Sequence, residues 1–143
     1  MSANDLAQVI EQYHHGVESF VQGDPEPQKR LYSHRDDATL ANPLGPPARG
    51  WEQVEQTLER AVSQLREGEP ITVEHISGYA TDDLAYIVEI ERTRIKIGGA
   101  DEKTAVALRV TTIFRREADG WRIVHRHADP ITTPRPITSI MQS

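Results

Sequence analysis

The chain of 143 residues is 37% hydrophobic and 27% charged, carries a net charge of -6 and contains no cysteine. This length predicts one domain whose core can enclose a pocket, and the acidic balance without a basic cluster disfavours a nucleic-acid interface. The absence of cysteine excludes disulfides and thiolate metal sites. Because no long apolar window or secretory leader pattern is present, we expect a cytoplasmic protein without a membrane partner.

Helices are predicted in the first part of the chain. Apolar residues at helical spacing over residues 6–21 form one face of a first helix. Two prolines suit the first turn of a short second helix over residues 25–33. A short strand near residues 38–42 and a Pro- and Gly-rich connection follow. A third helix is then predicted over residues 51–66, with an apolar stripe along one face.

After Pro70 the periodicity becomes that of strands. Runs rich in β-branched residues, separated by short turn signals, occupy residues 71–80, 84–97, 103–116 and 121–129. Consecutive strands with short links form an antiparallel meander. Helices followed by such a sheet indicate an α+β fold in which the helices cover one face of the sheet. We expect residues 1–130 to form a single domain and residues 131–143 an extended tail.

The alternation of side chains along the strands predicts which face of the sheet meets the helices. The more apolar sets are Leu84, Tyr86, Val88 and Ile90 in the second long strand, and Val106, Leu108, Val110, Thr112 and Phe114 in the third. We expect both sets to face inward. The opposite face, with Glu89, Glu91 and Arg109, is half-apolar and is predicted to be a homodimer interface; the alternative is a solvated face.

Three segments carry a family resemblance: "GD" at residues 23–24, "DDATLANPLGPPARG" at 36–50 and "DGWRIVHRHAD" at 119–129. With the order of elements, they resemble the nuclear transport factor 2-like superfamily over about residues 5–130. This superfamily includes ketosteroid isomerase-like proteins, SnoaL-like cyclases and the calmodulin-dependent kinase association domain. The resemblance implies a cone-shaped, curved antiparallel sheet wrapped by three N-terminal helices, a cystatin-like α+β barrel with an internal pocket. The superfamily hosts several functions, so the fold alone does not name one.

The resemblance also makes expectations about the pocket. In the last strand Ile123 and Val124 are equally apolar, so alternation does not decide which face is inward. Extending the resemblance without gaps implies that His125 and His127 point into the pocket together with Thr112. Steroid isomerisation by the known mechanism is not expected. Its aspartate base, tyrosine and protonated acid are replaced by Asn42, Gly16 and Thr112.

The remaining catalytic hypothesis makes His127 or His125 a general acid or base for an isomerase, cyclase or hydrolase reaction, because the imidazole pKa lies close to neutral pH. Asn42 and Thr112 would bind the ligand by hydrogen bonds, and Tyr13, Tyr32 and Tyr86 would supply an aromatic lining for a small, largely apolar organic molecule.

Several alternatives stay open. The two histidines can be hydrogen-bonded polar residues of the core, or can contact a ligand without catalysing a reaction. The whole domain can be a noncatalytic dimerisation or carrier module with a vestigial pocket. No cofactor is expected. A metal site is not expected either, because alternate positions on a strand are too widely spaced for easy chelation by His125, His127 and Asp129.

Overall fold

Three helices precede the long strands, at the places that the periodicity predicts. In the computed structural model, which describes residues 3–142, they are α1 (Ala3–Val21), α2 (Glu26–Leu31) and α3 (Trp51–Val62). Helix α3 ends earlier than predicted because the next residues form a short strand, β3 (Leu65–Arg66), paired with residues 96–97. The helices therefore supply one layer of the fold before the main sheet begins.

The other strands are β1 (Thr39–Ala41), β2 (Ala48–Arg49), β4 (Thr72–Ala80), β5 (Leu84–Ile97), β6 (Thr104–Glu117) and β7 (Gly120–Asp129). The last four form the predicted antiparallel meander. Strand β1 adds parallel to β7, and the order across the sheet is β2-β1-β7-β6-β5, with β3 and β4 both pairing with β5. The tail contains a 3-10 helix (Ile137–Ile140) and so is not extended throughout.

The architecture is the predicted cone-shaped α+β fold, in which a curved sheet wraps around a core closed by the helices. The core joins α1 and α3 to the inner face of the sheet. Its centre is the contact between Tyr13 and Phe114, whose ring centroids lie 5.8 Å apart in a T-shaped arrangement. Both rings are fully buried. Edge-to-face contact of this kind favours a fixed arrangement of the two aromatic side chains.

The inward face is as predicted on β6 but not on β5. Val110, Thr112 and Phe114 of β6 are buried. On β5 the buried residues are Ala85, Ile87, Glu89, Glu91 and Ile95. Tyr86 is 41% exposed. The prediction that Leu84, Tyr86, Val88 and Ile90 face the helices is therefore wrong, because directly paired residues share a face and Ile87 pairs with Thr112.

A β-bulge changes the alternation within β7. Phe114 pairs with Ile123, but the preceding Ile113 pairs with His125, so Val124 is an extra residue on β7. After the bulge Arg126 pairs with the inward Thr112 and is buried. The gapless extension that turned His125 and His127 into the pocket is consequently wrong. Both imidazoles belong to the outer face of the sheet.

Candidate ligand-binding site

A cavity of about 350 Å³ lies between the helices and the concave face of the sheet. Most of its wall is apolar. The helices contribute Val17, Phe20 and Leu58, and the sheet contributes Ile95, Leu108 and Ala128. Pockets for small organic molecules have about this size and this predominance of apolar side chains. The cavity is therefore suited to an apolar body rather than to a highly charged metabolite.

A buried ion pair lies at the cavity wall. Arg126 and Glu91 form a bidentate contact, in which Nη1 donates to Oε2 at 3.0 Å and Nη2 donates to Oε1 at 3.0 Å. Both side chains are buried, and both residues line the cavity. Burial opposes the charged form of Arg126, but the charge of Glu91 raises the arginine pKa well above its ordinary value. The guanidinium group therefore stays charged, and its carboxylate partner balances that charge.

Tyr13 joins this pair to the core. Its hydroxyl donates to Oε2 of Glu91 at 3.3 Å and accepts from Nη1 of Arg126 and from Oγ1 of Thr112, the latter at 2.8 Å. Burial, the largest cause, raises the pKa of Tyr13. The hydroxyl is neutral at physiological pH and already has three partners. Its place in the network makes it a support for the ion pair.

The predicted ligand-binding residues have different locations. Asn42 lines the cavity. Thr112 and Tyr13 are fully buried behind the ion pair and are not lining residues. Tyr32 is buried elsewhere in the core, and Tyr86 lies on the outer face. The prediction of an aromatic lining made by Tyr13, Tyr32 and Tyr86 is therefore wrong.

The two predicted catalytic histidines have partners outside the cavity. Nδ1 of His125 lies 2.7 Å from Oγ1 of Thr39, and Nε2 of His127 lies 2.9 Å from Oδ2 of Asp129. Burial, followed by the neighbouring His127, lowers the pKa of His125. No histidine of the described chain is a lining residue. The geometric basis for proton transfer by these imidazoles inside the cavity is absent.

Sequence reasoning missed the polar residues that do line the cavity. Glu91 was predicted on the outer face, the inward orientation expected for His125 and His127 implies the same face for Arg126, and no role was predicted for Gln28. Arg126 and Glu91 each lie within a strand rich in β-branched residues, and this pattern could have indicated a buried charge. The pairing between them joins residues that are 35 positions apart. Only the three-dimensional register shows that they share a face.

A second buried carboxylate lies near α1. Oε1 of Glu89 is 2.8 Å from Nε2 of His14, and Oε2 is 3.9 Å from Nδ1 of His75. The Glu89 side chain is buried, whereas the His14 side chain is half-buried. The hydrogen bond to Glu89 is the main cause that raises the pKa of His14. When His14 is protonated, its charge balances this buried carboxylate, which was predicted to lie on the outer face of the sheet.

This contact predicts a pH-dependent stability. Because the folded-state pKa of His14 is raised, its contribution should be fully present below about pH 6.5 and lost as the pH rises through the folded-state pKa. In urea unfolding, His14→Gln should cost more at about pH 5.5 than at about pH 9. The exposed His15→Gln is the control and should change stability by less than about 0.5 kcal/mol at either pH. Equal costs of His14→Gln at the two pH values would contradict the prediction.

The curved, mainly antiparallel sheet, the three covering helices and the apolar cavity between them define an α+β protein of the nuclear transport factor 2-like class. The chain belongs to the SnoaL-like domain family, whose model matches residues 6–132. The match covers α1 from residue 6 onward, all of α2 and α3, and all four strands of the meander. Within the described residues, no helix is long and apolar enough to cross a membrane.

Solved structures support the same class. A ketosteroid isomerase-like protein from Erwinia carotovora atroseptica has a TM-score of 0.75 at 16% identity, covering 92% of this chain and 100% of that one. A nuclear transport factor 2-like superfamily protein from Salmonella enterica has a TM-score of 0.72 at 17% identity, with 92% of each chain covered.

A domain of unknown function with a cystatin-like fold from Nostoc punctiforme has a TM-score of 0.71 at 13% identity, covering 93% of this chain and 81% of that one. Identities this low show a shared fold alone. No curated protein matches the sequence.

Proposed function

We propose that this chain is a small-molecule-binding domain that holds a largely apolar organic ligand in its internal cavity. The observation that carries the proposal is the combination of a cavity of about 350 Å³, a mainly apolar wall and a few buried polar groups. This combination is the usual composition of a small-molecule site. The ligand would gain affinity from burial of its apolar surface and orientation from the polar groups.

Binding explains the site better than catalysis by a pocket histidine. A general acid or base must reach the reacting atom directly or through one water molecule. His125 and His127 lie on the opposite face of the sheet, and the hydroxyl of Tyr13 is occupied by three partners. Glu91 is held by both terminal nitrogens of Arg126. The residues at the cavity are arranged for recognition.

Filling the cavity provides the test. Ala61 of α3 lines the cavity and is only partly buried, so tryptophan can enter there with little cost to the helix. With N-phenyl-1-naphthylamine, a neutral fluorescent probe, the wild type should show saturable binding. Ala61→Trp should weaken that binding by at least about tenfold, which corresponds to about 1.4 kcal/mol. His127→Ala should bind the probe as the wild type does, because its ring lies outside.

Circular dichroism of each variant establishes that the fold is retained. Absence of saturable probe binding to the wild type would contradict the proposal. Unchanged binding to a folded Ala61→Trp variant would show that the probe occupies another surface. Weaker binding of the probe to His127→Ala would show that the His127 side chain contributes to the binding site.

We also propose that the outer face of the sheet forms a homodimer interface. Because Ile87, Glu89 and Glu91 are buried, the outer face carries the residues that alternate with them and is more apolar than predicted. In direct cross-strand register it carries Tyr79, Tyr86 and Ile113, and Tyr79 is 66% exposed. A contiguous exposed patch of this kind is typical of a protein–protein interface. The dimer would leave the cavity on the opposite side of the sheet.

Sedimentation equilibrium tests this interface. The wild type should be a dimer, and Tyr86→Arg should shift it to the monomer by at least about tenfold in the dissociation constant, because an unpaired charge would be buried. Gln56→Arg introduces the same charge on the exposed side of α3 and should leave the dimer intact. A monomeric wild type, or a dimer unaffected by Tyr86→Arg, would contradict the proposal.

A further inference from the structure

Arg126 has hydrogen-bond donors left for the cavity. A guanidinium group carries five N–H donors in a fixed planar arrangement. Both hydrogens of Nη1 are used by Tyr13 and Glu91, and one hydrogen of Nη2 is used by Glu91. Among the described residues, Nε–H and the second hydrogen of Nη2 have no protein partner, and these two donors share one edge of the group. Arg126 is 8% exposed and lines the cavity.

Gln28 is a second buried donor in the same wall. It is 2% exposed, it lines the cavity, and its side-chain amide has no hydrogen-bond partner in the described part of the chain. The amide atoms are not sealed off in the core but keep some accessible surface, and the cavity that Gln28 lines gives a ligand access to them. Two such groups in one apolar cavity indicate a polar feature of the ligand.

The charge of the wall restricts that feature. Glu91 already balances Arg126 within the cavity. Arg92, the other cation of the wall, is 47% exposed and pairs with Glu74 at 2.8 Å. A ligand carboxylate beside Arg126 would be a second buried anion next to a cation whose charge Glu91 already balances. The attraction to Arg126 would then not offset the free-energy cost of removing the carboxylate from water. An uncharged oxygen acceptor satisfies the same donors without that cost.

We propose that Gln28 and the free edge of Arg126 recognise an uncharged carbonyl oxygen on an otherwise apolar ligand, such as a ketone, ester or lactone. The inference rests on the proposed function, because it names the chemistry of a ligand in the same cavity. The carbonyl oxygen has two lone pairs and can accept from both groups. The apolar remainder of the ligand occupies the space lined by α1, α3 and the strands.

Displacement of N-phenyl-1-naphthylamine by three matched naphthalenes tests the proposal. The probes are 2-acetonaphthone, 2-ethylnaphthalene and 2-naphthoate, which place a carbonyl, a hydrocarbon and a carboxylate on one ring system. Gln28→Leu should weaken the ketone by about two- to tenfold and leave the hydrocarbon unchanged or tighter. Gln56→Leu makes the same substitution on the exposed side of α3, away from the cavity, and should affect neither. The wild type should bind the ketone more tightly than the carboxylate.

Equal effects of Gln28→Leu on ketone and hydrocarbon, or no effect on either, would overturn carbonyl recognition while leaving cavity binding intact. Tighter binding of 2-naphthoate than of 2-acetonaphthone would overturn the preference for a neutral acceptor. Failure of the wild type to bind the fluorescent probe would overturn the proposed function itself, and the inference with it. The comparison of ligands within each variant removes effects of the substitution on overall stability.

Discussion

Replacing Glu91 with alanine is expected to lower the free energy of unfolding by about 3–5 kcal/mol. The substitution leaves the guanidinium group of Arg126 buried without a counter-ion, in the wall of an apolar cavity. It also removes the acceptor of the Tyr13 hydroxyl. Urea unfolding followed by circular dichroism measures the change, provided that the slope of the free energy against urea concentration stays constant.

An exposed ion pair in the same sheet supplies the control. Glu74→Ala removes the partner of Arg92, but both side chains of that pair are about half exposed. The expected cost is between about 0 and 1 kcal/mol. The double replacement Glu91→Leu with Arg126→Met should recover most of the stability, because no buried charge remains. Similar costs for Glu91→Ala and Glu74→Ala would contradict the account of a desolvated pair.

Phe114→Ala is expected to cost about 3–5 kcal/mol. The ring is fully buried and packs edge-on against Tyr13, so truncation leaves a cavity at the centre of the core. The neighbouring core side chains can move only partly into that space, so most of the cavity remains. Thermal or urea unfolding of the variant measures the loss.

Leu84→Ala is the matched test of the face assignment on the neighbouring strand. The sequence pattern placed Leu84 and Phe114 on the same inward face, whereas the pairing of β5 with β6 places Leu84 outside and half exposed. Its truncation should cost less than about 1 kcal/mol. A cost close to that of Phe114→Ala would show that the apolar alternation was right and the register wrong.

The elements could be predicted because their signals are local. Helical spacing, prolines at the start of α2 and turn residues between the strands each act within a few positions. The inward face of β5 could not be predicted in this way. Counting apolar side chains assumes that charged residues point to solvent, but Glu91 is compensated by Arg126 and Glu89 by His14. Both partners lie far away in the chain.

The candidate site was predicted less well than the fold. Asn42 does line the cavity, but the other predicted site residues do not. For the histidines the reason is a single extra residue at Val124, which no glycine or proline marks in the sequence. A one-residue change in pairing moves every later side chain of a strand to the other face. The family resemblance, extended without a gap along β7, therefore predicted the wrong orientation for both histidines.

The bulge in β7 has a wider consequence for how such domains diverge. Ile123 and Arg126 both point inward although three positions separate them, a spacing that an unbroken strand cannot accommodate. A related protein with the same residues but no bulge in its last strand would point the two imidazoles into the cavity and the guanidinium group away from it. A one-residue change in the pairing of the last strand can thus exchange the side chains that face the cavity while the sequence motif stays the same.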